Sequence, residues 1–151
     1  MRPDGAAGAG RIDHKSYRVL SHTADTGIEA TADSLAELIA TLAVGMYQLM
    51  ATTEPSAARR WIQLRVESAT IEDLVVDTLS ELLYHSETED LVFCDVRVDV
   101  EPGVPTANVE AGGVPTDAVE PAGPPIKAVT YHDLAVERRA GGWYGRVYFD
   151  V

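Results

Sequence analysis

Two stretches of this chain repeat their apolar residues at helical spacing, and much of the rest alternates in twos. Leu35, Leu38, Ile39, Leu42, Met46, Leu49 and Met50 form one apolar stripe. Ile71, Leu74, Val75, Thr78, Leu79, Leu82 and Leu83 form a wider one, so the second helix is expected nearer the core. Each stripe follows a helix-start signal: Ser34 with Glu37, with Asp33 as an alternative cap, and Thr70 with Asp73. "EPSAARR" breaks the first helix and "HSETED" closes the second. Elsewhere, "WIQLRVES" puts Ile62, Leu64 and Val66 on one face and Gln63, Arg65 and Glu67 on the other, as a half-buried strand would. "LVFCDVRVDVE" places Cys94, Val96, Val98 and Val100 together in the same way. Helices and strands that are segregated rather than alternating argue for an α+β fold. The expected architecture is a single domain with two helices packed on one face of a mixed, mostly antiparallel sheet.

At 151 residues the chain suits one domain with a real core. Residues 1–14, rich in Gly and Ala, are expected to be a flexible N-terminal tail ahead of a domain spanning 15–151. Residues 102–125 hold six of the eight prolines, so an irregular Pro/Gly-rich loop is expected there, with at most a short edge strand. Order returns at "IKAVTYHDLAVERR", and Gly141-Gly142 reads as a two-residue hairpin turn into "WYGRVYFDV". That turn would oppose Ala140 to Trp143, Glu137 to Arg146 and Asp133 to Asp150. The last pairing sets like charges side by side, which is unfavourable unless something positive intervenes.

Composition narrows the function. With 24 acidic residues against 12 basic ones, the net charge is -12, and such a surface repels phosphate backbones. Direct nucleic-acid binding is therefore not expected. The single cysteine, Cys94, excludes an internal disulfide and a cysteine-based zinc cluster, and its apolar neighbours make it a buried structural thiol. No apolar run reaches the roughly 18 residues of a membrane span, and the N-terminus lacks the apolar core of a signal peptide. A cytoplasmic protein without a membrane partner is expected. The phosphate loop, the dinucleotide-binding glycine fingerprint, the HExxH helix and the nucleophile elbow are all missing.

What remains are two acidic motifs. "HTAD", residues 22–25, precedes Thr26-Gly27, where Asp25 could either cap a turn or present its carboxylate. "FDV" ends the sequence, so Asp150 lies beside the terminal carboxylate of Val151. Oxygen-only donors clustered in this way suit a hard cation such as calcium, magnesium or manganese; a frayed acidic terminus is the plainer alternative.

Taken together, "HTADTGIEATADSLAELIATLAVGMYQLM", "IEDLVVDTLSELLYHSETEDLVF", "IKAVTYHDLAVE" and "WYGRVYFDV" resemble the archease family, in the family's order, over most of residues 17–100 and 126–151. The resemblance implies an accessory protein of the RtcB-type RNA ligase, which joins RNA ends in tRNA splicing and RNA repair. Such a protein promotes the ligase's guanylylation and multiple turnover, and is an activator or chaperone rather than an enzyme. It also implies a bound divalent metal ion, calcium foremost, with magnesium, manganese or zinc as alternatives. Carried onto this sequence, the metal residues are Asp25 and Asp150, joined by Val151, and the activation residue is Lys127. His22 and His132 are candidates for orienting the site. One departure is plain: Gly112-Gly113 stands where the family pattern has Gly-Glu. Two other classes compete, a small metal-dependent hydrolase using Asp25, Asp150 and His132, and a general protein-folding helper.

Overall fold

Both helix starts form as the sequence dictates. The computed structural model describes residues 17–21 and 26–151; the expected tail at 1–14, and His22 and Asp25 of "HTAD", lie outside the described residues. Strands β1 (Tyr17–Ser21) and β2 (Thr26–Ala32) lead into helix α1 (Leu35–Met50). The hydroxyl of Ser34 accepts the Glu37 N–H at 3.1 Å, so Ser34 rather than Asp33 is the cap. A short strand β3 (Ala51–Thr52) and strand β4 (Arg60–Glu67) precede helix α2 (Ile71–Glu89), where Thr70 Oγ1 accepts the Asp73 N–H at 3.0 Å. Then follow β5 (Leu91–Glu101), β6 (Thr106–Pro115), β7 (Glu120–Pro121), β8 (Ala128–Val129), β9 (Ala135–Arg139) and β10 (Gly142–Asp150).

The class is α+β, as expected, and the described strand pairings are antiparallel. The strands divide, however, between a five-stranded sheet in the order β1-β2-β10-β8, with β9 also on β10, and a three-stranded sheet β4-β6-β5. Strands β3 and β7 form a separate pair. Helix α1 packs on both larger sheets, touching β2 and β10 of one and β5 of the other.

This sandwiching reverses the expected order of the helices. In α1 every residue from Leu38 to Tyr47 is buried, whereas α2 buries only one side. The wider stripe of large apolar residues on α2 was a misleading guide. The extra burial of α1 comes from Ala40, Thr41, Ala43 and Gly45, small residues that let chain pack close on the second side. A Cβ on Gly45 would stand 3.0 Å from both Ile28 and Tyr17.

Residues 102–125 also differ from expectation. Within the segment expected to be an irregular loop, β6 runs for ten residues as the middle strand of its sheet. Its prolines punctuate rather than break: Pro105 precedes the strand and Pro115 ends it. Between them Ala107, Val109 and Ala111 face the core while Asn108 and Glu110 face outward, an alternation muted by small residues. The Gly112-Gly113 pair has a packing reason. A Cβ on Gly112 would lie 2.6 Å from the Trp61 ring, and one on Gly113 2.8 Å from the Val92 carbonyl oxygen.

Strand β5 carries a bulge between Phe93 and Asp95, where the register against β6 slips by one. The slip reverses the pleat, so Phe93 rather than Cys94 joins Val96 and Val98 in the main apolar cluster. Cys94 is still buried, near the Gly112 carbonyl oxygen at 3.7 Å, and burial pushes its thiol up to about 11. About a thousandth would be thiolate at pH 8. Native protein should therefore resist a thiol reagent such as iodoacetamide at that pH and react only when unfolded; rapid native labelling would contradict the burial.

The β9–β10 hairpin turns at Ala140-Gly141, both at positive φ, rather than at Gly141-Gly142. Glu137 consequently opposes Tyr144, not Arg146. The shift is two residues, so each side chain keeps its expected face. Asp133 does not oppose Asp150: it occupies a turn at φ 48 before β9, and Asp150 pairs instead with Ala128 of β8.

Candidate metal-binding end of the five-stranded sheet

Strand β10 enters the core through Val147 and Phe149, both fully buried, and ends on the exposed Asp150. Period-two alternation turns Tyr148 and Asp150 to the opposite face. On one side β2 begins beside this end, with Thr26 opposite Phe149 and Gly27 opposite Tyr148. On the other side, β8 pairs Ala128 with Asp150, and the Lys127 N–H donates to the Asp150 carbonyl oxygen at 2.7 Å. Lys127 and Asp150, predicted as separate site residues, are thus backbone neighbours. Val151 follows, two-fifths exposed.

The turn after β8 wraps over the same face. Thr130 gives both its N–H and its hydroxyl to the Tyr148 carbonyl oxygen, at 3.0 and 2.9 Å. This sets the His132 ring edge-on to the Tyr148 ring at 5.8 Å, with its Nε2 3.4 Å from the Asp133 carboxylate. Arg146 Nε donates to the Asp133 carbonyl oxygen at 2.9 Å and fixes the far side of the turn. The near side is tied to α2 by the Tyr131 hydroxyl, which donates to the Asp73 carboxylate at 2.7 Å. That bond, reinforced by the Asp73 and Asp77 charges, pushes the phenol up to about 12.

Of the residues predicted for the site, Lys127, His132, Asp150 and Val151 fall at this end, and Asp25 and His22 lie outside the described residues. Among the described residues, no three His, Cys, Asp or Glu side chains are grouped to hold an ion. The Asp150 carboxylate makes no hydrogen bond or ion pair among the described residues. Its chemistry, an exposed oxygen donor beside Val151, fits a hard cation.

Sequence reasoning missed Tyr148 and the Tyr131–Asp73 tether. A Cβ on Gly27 would stand 2.6 Å from the Tyr148 ring, so the glycine after "HTADT" exists to accept that ring. The glycine is visible in the sequence, but its partner is 121 positions away and appears only with the register of β2 on β10.

Most described arginines are already engaged. Arg18 pairs with Glu29, Arg60 with Glu89, Arg65 with Glu67 and Glu101, and Arg97 with Asp95. Arg138 and Arg139 lie over the rings of Trp143 and Tyr144. Lys127 makes no ion pair among the described residues. No described helix is long and apolar enough to cross a membrane.

Residues 17–151 match the Archease protein family (MTH1598/TM1083). Protein archease of Methanosarcina mazei is 33% identical over 141 residues, covering 91% of this chain and 97% of the relative. The solution structure of Methanobacterium thermoautotrophicum protein 1598 superposes with a TM-score of 0.74 at 26% identity, covering 91% of this chain and 99% of that one. The crystal structure of TM1083 from Thermotoga maritima, described as an archease and possible chaperone, shares the fold with a TM-score of 0.61 at 21% identity, over 87% of this chain and 94% of its own.

Proposed function

The chain belongs to the archease family, and we propose that it serves in the cytoplasm as a metal-binding accessory protein of an RtcB-type tRNA-splicing and RNA-repair ligase, promoting the ligase's guanylylation and multiple turnover. One observation carries this reading. The pairing of β10 with β2 and β8 gathers three separate motifs at one sheet end: "FDV" itself, the strand that follows "HTAD", and the start of "KAVTYH". Thr26, bonded to Asp25, opposes Phe149, bonded to Asp150.

In this reading Asp25, Asp150 and the Val151 carboxylate would hold a divalent cation, calcium foremost. The bound cation would supply a fixed positive charge at an otherwise acidic surface. The Asp150 carboxylate is exposed and carries no competing partner among the described residues, which leaves it available as a ligand. The Thr130 bonds to the Tyr148 carbonyl oxygen keep β10 in register behind it. Lys127, held by its own backbone beside Asp150, would present its ammonium to an anionic group of the ligase complex, as a mobile point charge.

The direct test is ligase turnover with and without the chain. Substoichiometric protein should raise multiple-turnover joining, and alone it should join no RNA ends; intrinsic joining, or no stimulation, would refute the proposal. Lys127→Ala should unfold within about 0.5 kcal/mol of the parent, as exposed substitutions do, yet stimulate poorly, with Lys127→Arg partly restoring the effect. Parent-like stimulation by the alanine variant would return Lys127 to the status of an ordinary solvated lysine.

A further inference from the structure

Beside the Asp150 end, α2 carries a second stripe that the core covers only in part. Ser80, Leu83, Tyr84 and Glu87 follow the i, i+3, i+4, i+7 spacing of a single helix face, and they line one wall of a groove of about 840 Å³. The floor and the opposite wall are apolar, from Met50, Val119, Ile126 and Val129. Tyr84 is 58% exposed, an aromatic ring standing at the lip with the His85 ring edge-on to it at 5.3 Å.

Charge is distributed unevenly over this groove. Glu87 and Asp90, which also line it, sit at the C-terminal end of α2, where the helix dipole already contributes a partial negative charge. The last turn of α2 has no basic residue. Among the described residues neither carboxylate has a side-chain partner, although Glu89 between them is paired with Arg60. Lys127 lines the groove too, but makes no ion pair with either carboxylate. Two carboxylates and a helix C-terminus at an apolar trough form a receptor for a cation that arrives on an apolar surface.

The opposite wall decides how such a ligand would bind. Its segment is irregular between β7 and β8, with the Ala122 N–H spent on the Met50 carbonyl oxygen and the Lys127 N–H on that of Asp150. The Ile126 N–H lies against the Met50 thioether at 3.3 Å. A strand added there would find few free donors, so recognition falls to side chains.

We infer that this groove seats a basic amphipathic helix of a partner protein. The helix lays leucine-type side chains between Tyr84 and Ile126 and sets a lysine or arginine against Glu87 and Asp90, in the helix-in-groove mode. The inference does not depend on the metal-binding reading, because none of the residues that carry it is a proposed metal ligand.

The probe is a synthetic 14-residue helical peptide of leucine and lysine, compared with a leucine–glutamate peptide and a lysine–serine peptide, each followed by amide NMR shifts in the whole protein. The leucine–lysine peptide should shift resonances around Leu83, Tyr84, Glu87, Val119 and Ile126, while the other two bind at least tenfold more weakly. Tyr84→Ala and the double variant Glu87→Gln/Asp90→Asn should each weaken it at least fivefold without changing the far-UV circular dichroism; Asn tolerates the positive φ of Asp90. Shifts spread instead over Glu72, Asp77 and Glu81 would mean plain attraction to an acidic helix and would overturn the inference. So would equal binding of the lysine–serine peptide, unchanged affinity in both variants, or a homodimer seated in the groove and broken by Tyr84→Ala. Ligase stimulation is a separate readout, so either idea can fail alone.

Discussion

On the proposed reading, Asp150→Ala should leave the protein folded, prevent it from holding a divalent metal and abolish ligase stimulation. Folding should survive because the Asp150 side chain is exposed and makes no hydrogen bond or ion pair among the described residues. Its backbone bond to Lys127 does not need the carboxylate, and the neighbouring anchor, Phe149, is untouched. The expected stability change is within about 0.5 kcal/mol. Metal affinity should fall far more. Losing a mere supporting group around a metal typically costs about 10–100-fold, and removing a charged ligand should cost at least that. Asp25→Ala should match it. Residues appended after Val151 should weaken binding in the same direction, since they turn a proposed ligand carboxylate into an amide, whereas an N-terminal extension should not. The control is Asp99→Ala, also an exposed carboxylate, on β5. Metal content by elemental analysis and ligase turnover, measured on the same preparations, decide the matter. If Asp150→Ala retains metal and stimulates like the Asp99→Ala control, the shared site is wrong.

Phe93→Ala should be the most damaging substitution to stability. The ring is fully buried and meets Tyr47 edge-on at 5.6 Å and 89°. Tyr47 in turn donates its hydroxyl to the Leu82 carbonyl oxygen at 3.0 Å, so one contact chain joins β5 to α1 and α1 to α2. Truncating a buried phenylalanine costs about 3–5 kcal/mol through lost transfer energy and the cavity left behind. The aromatic pair adds about 0.5–1.5 kcal/mol. Against a domain stability of about 5–15 kcal/mol, that is a large share. Urea denaturation should show a midpoint lowered in proportion, with an unchanged slope. Val104→Ala, at a position 66% exposed, should shift by no more than about 0.5 kcal/mol. A loss below about 1.5 kcal/mol for Phe93→Ala would show that the bulge does not hold its ring in the core as described.

The sequence alone determined whatever rests on local periodicity and on short polar signals. Both helices begin where Ser34 and Thr70 announce them, because a cap is a bond between residues three apart. The outward and inward faces of β4 follow from the alternation of Ile62, Leu64 and Val66. The motifs also sufficed for the family, since "HTAD", the leucine-rich second helix, "KAVTYH" and "FDV" are contiguous strings. Tertiary structure decided what depends on partners distant in the chain. The burial of α1 on two sides required a second sheet, which small residues such as Gly45 permit but do not announce. The strand at Thr106–Pro115 was hidden by prolines that mark its ends and by alanines too small to read as a core face. The β5 bulge exchanged Cys94 for Phe93 because one extra residue reverses every side chain beyond it. The site itself is of this second kind. Lys127 and Asp150 are 23 positions apart and meet only because β8 and β9 share one edge of β10, an arrangement fixed by hydrogen-bond register and invisible to any local pattern.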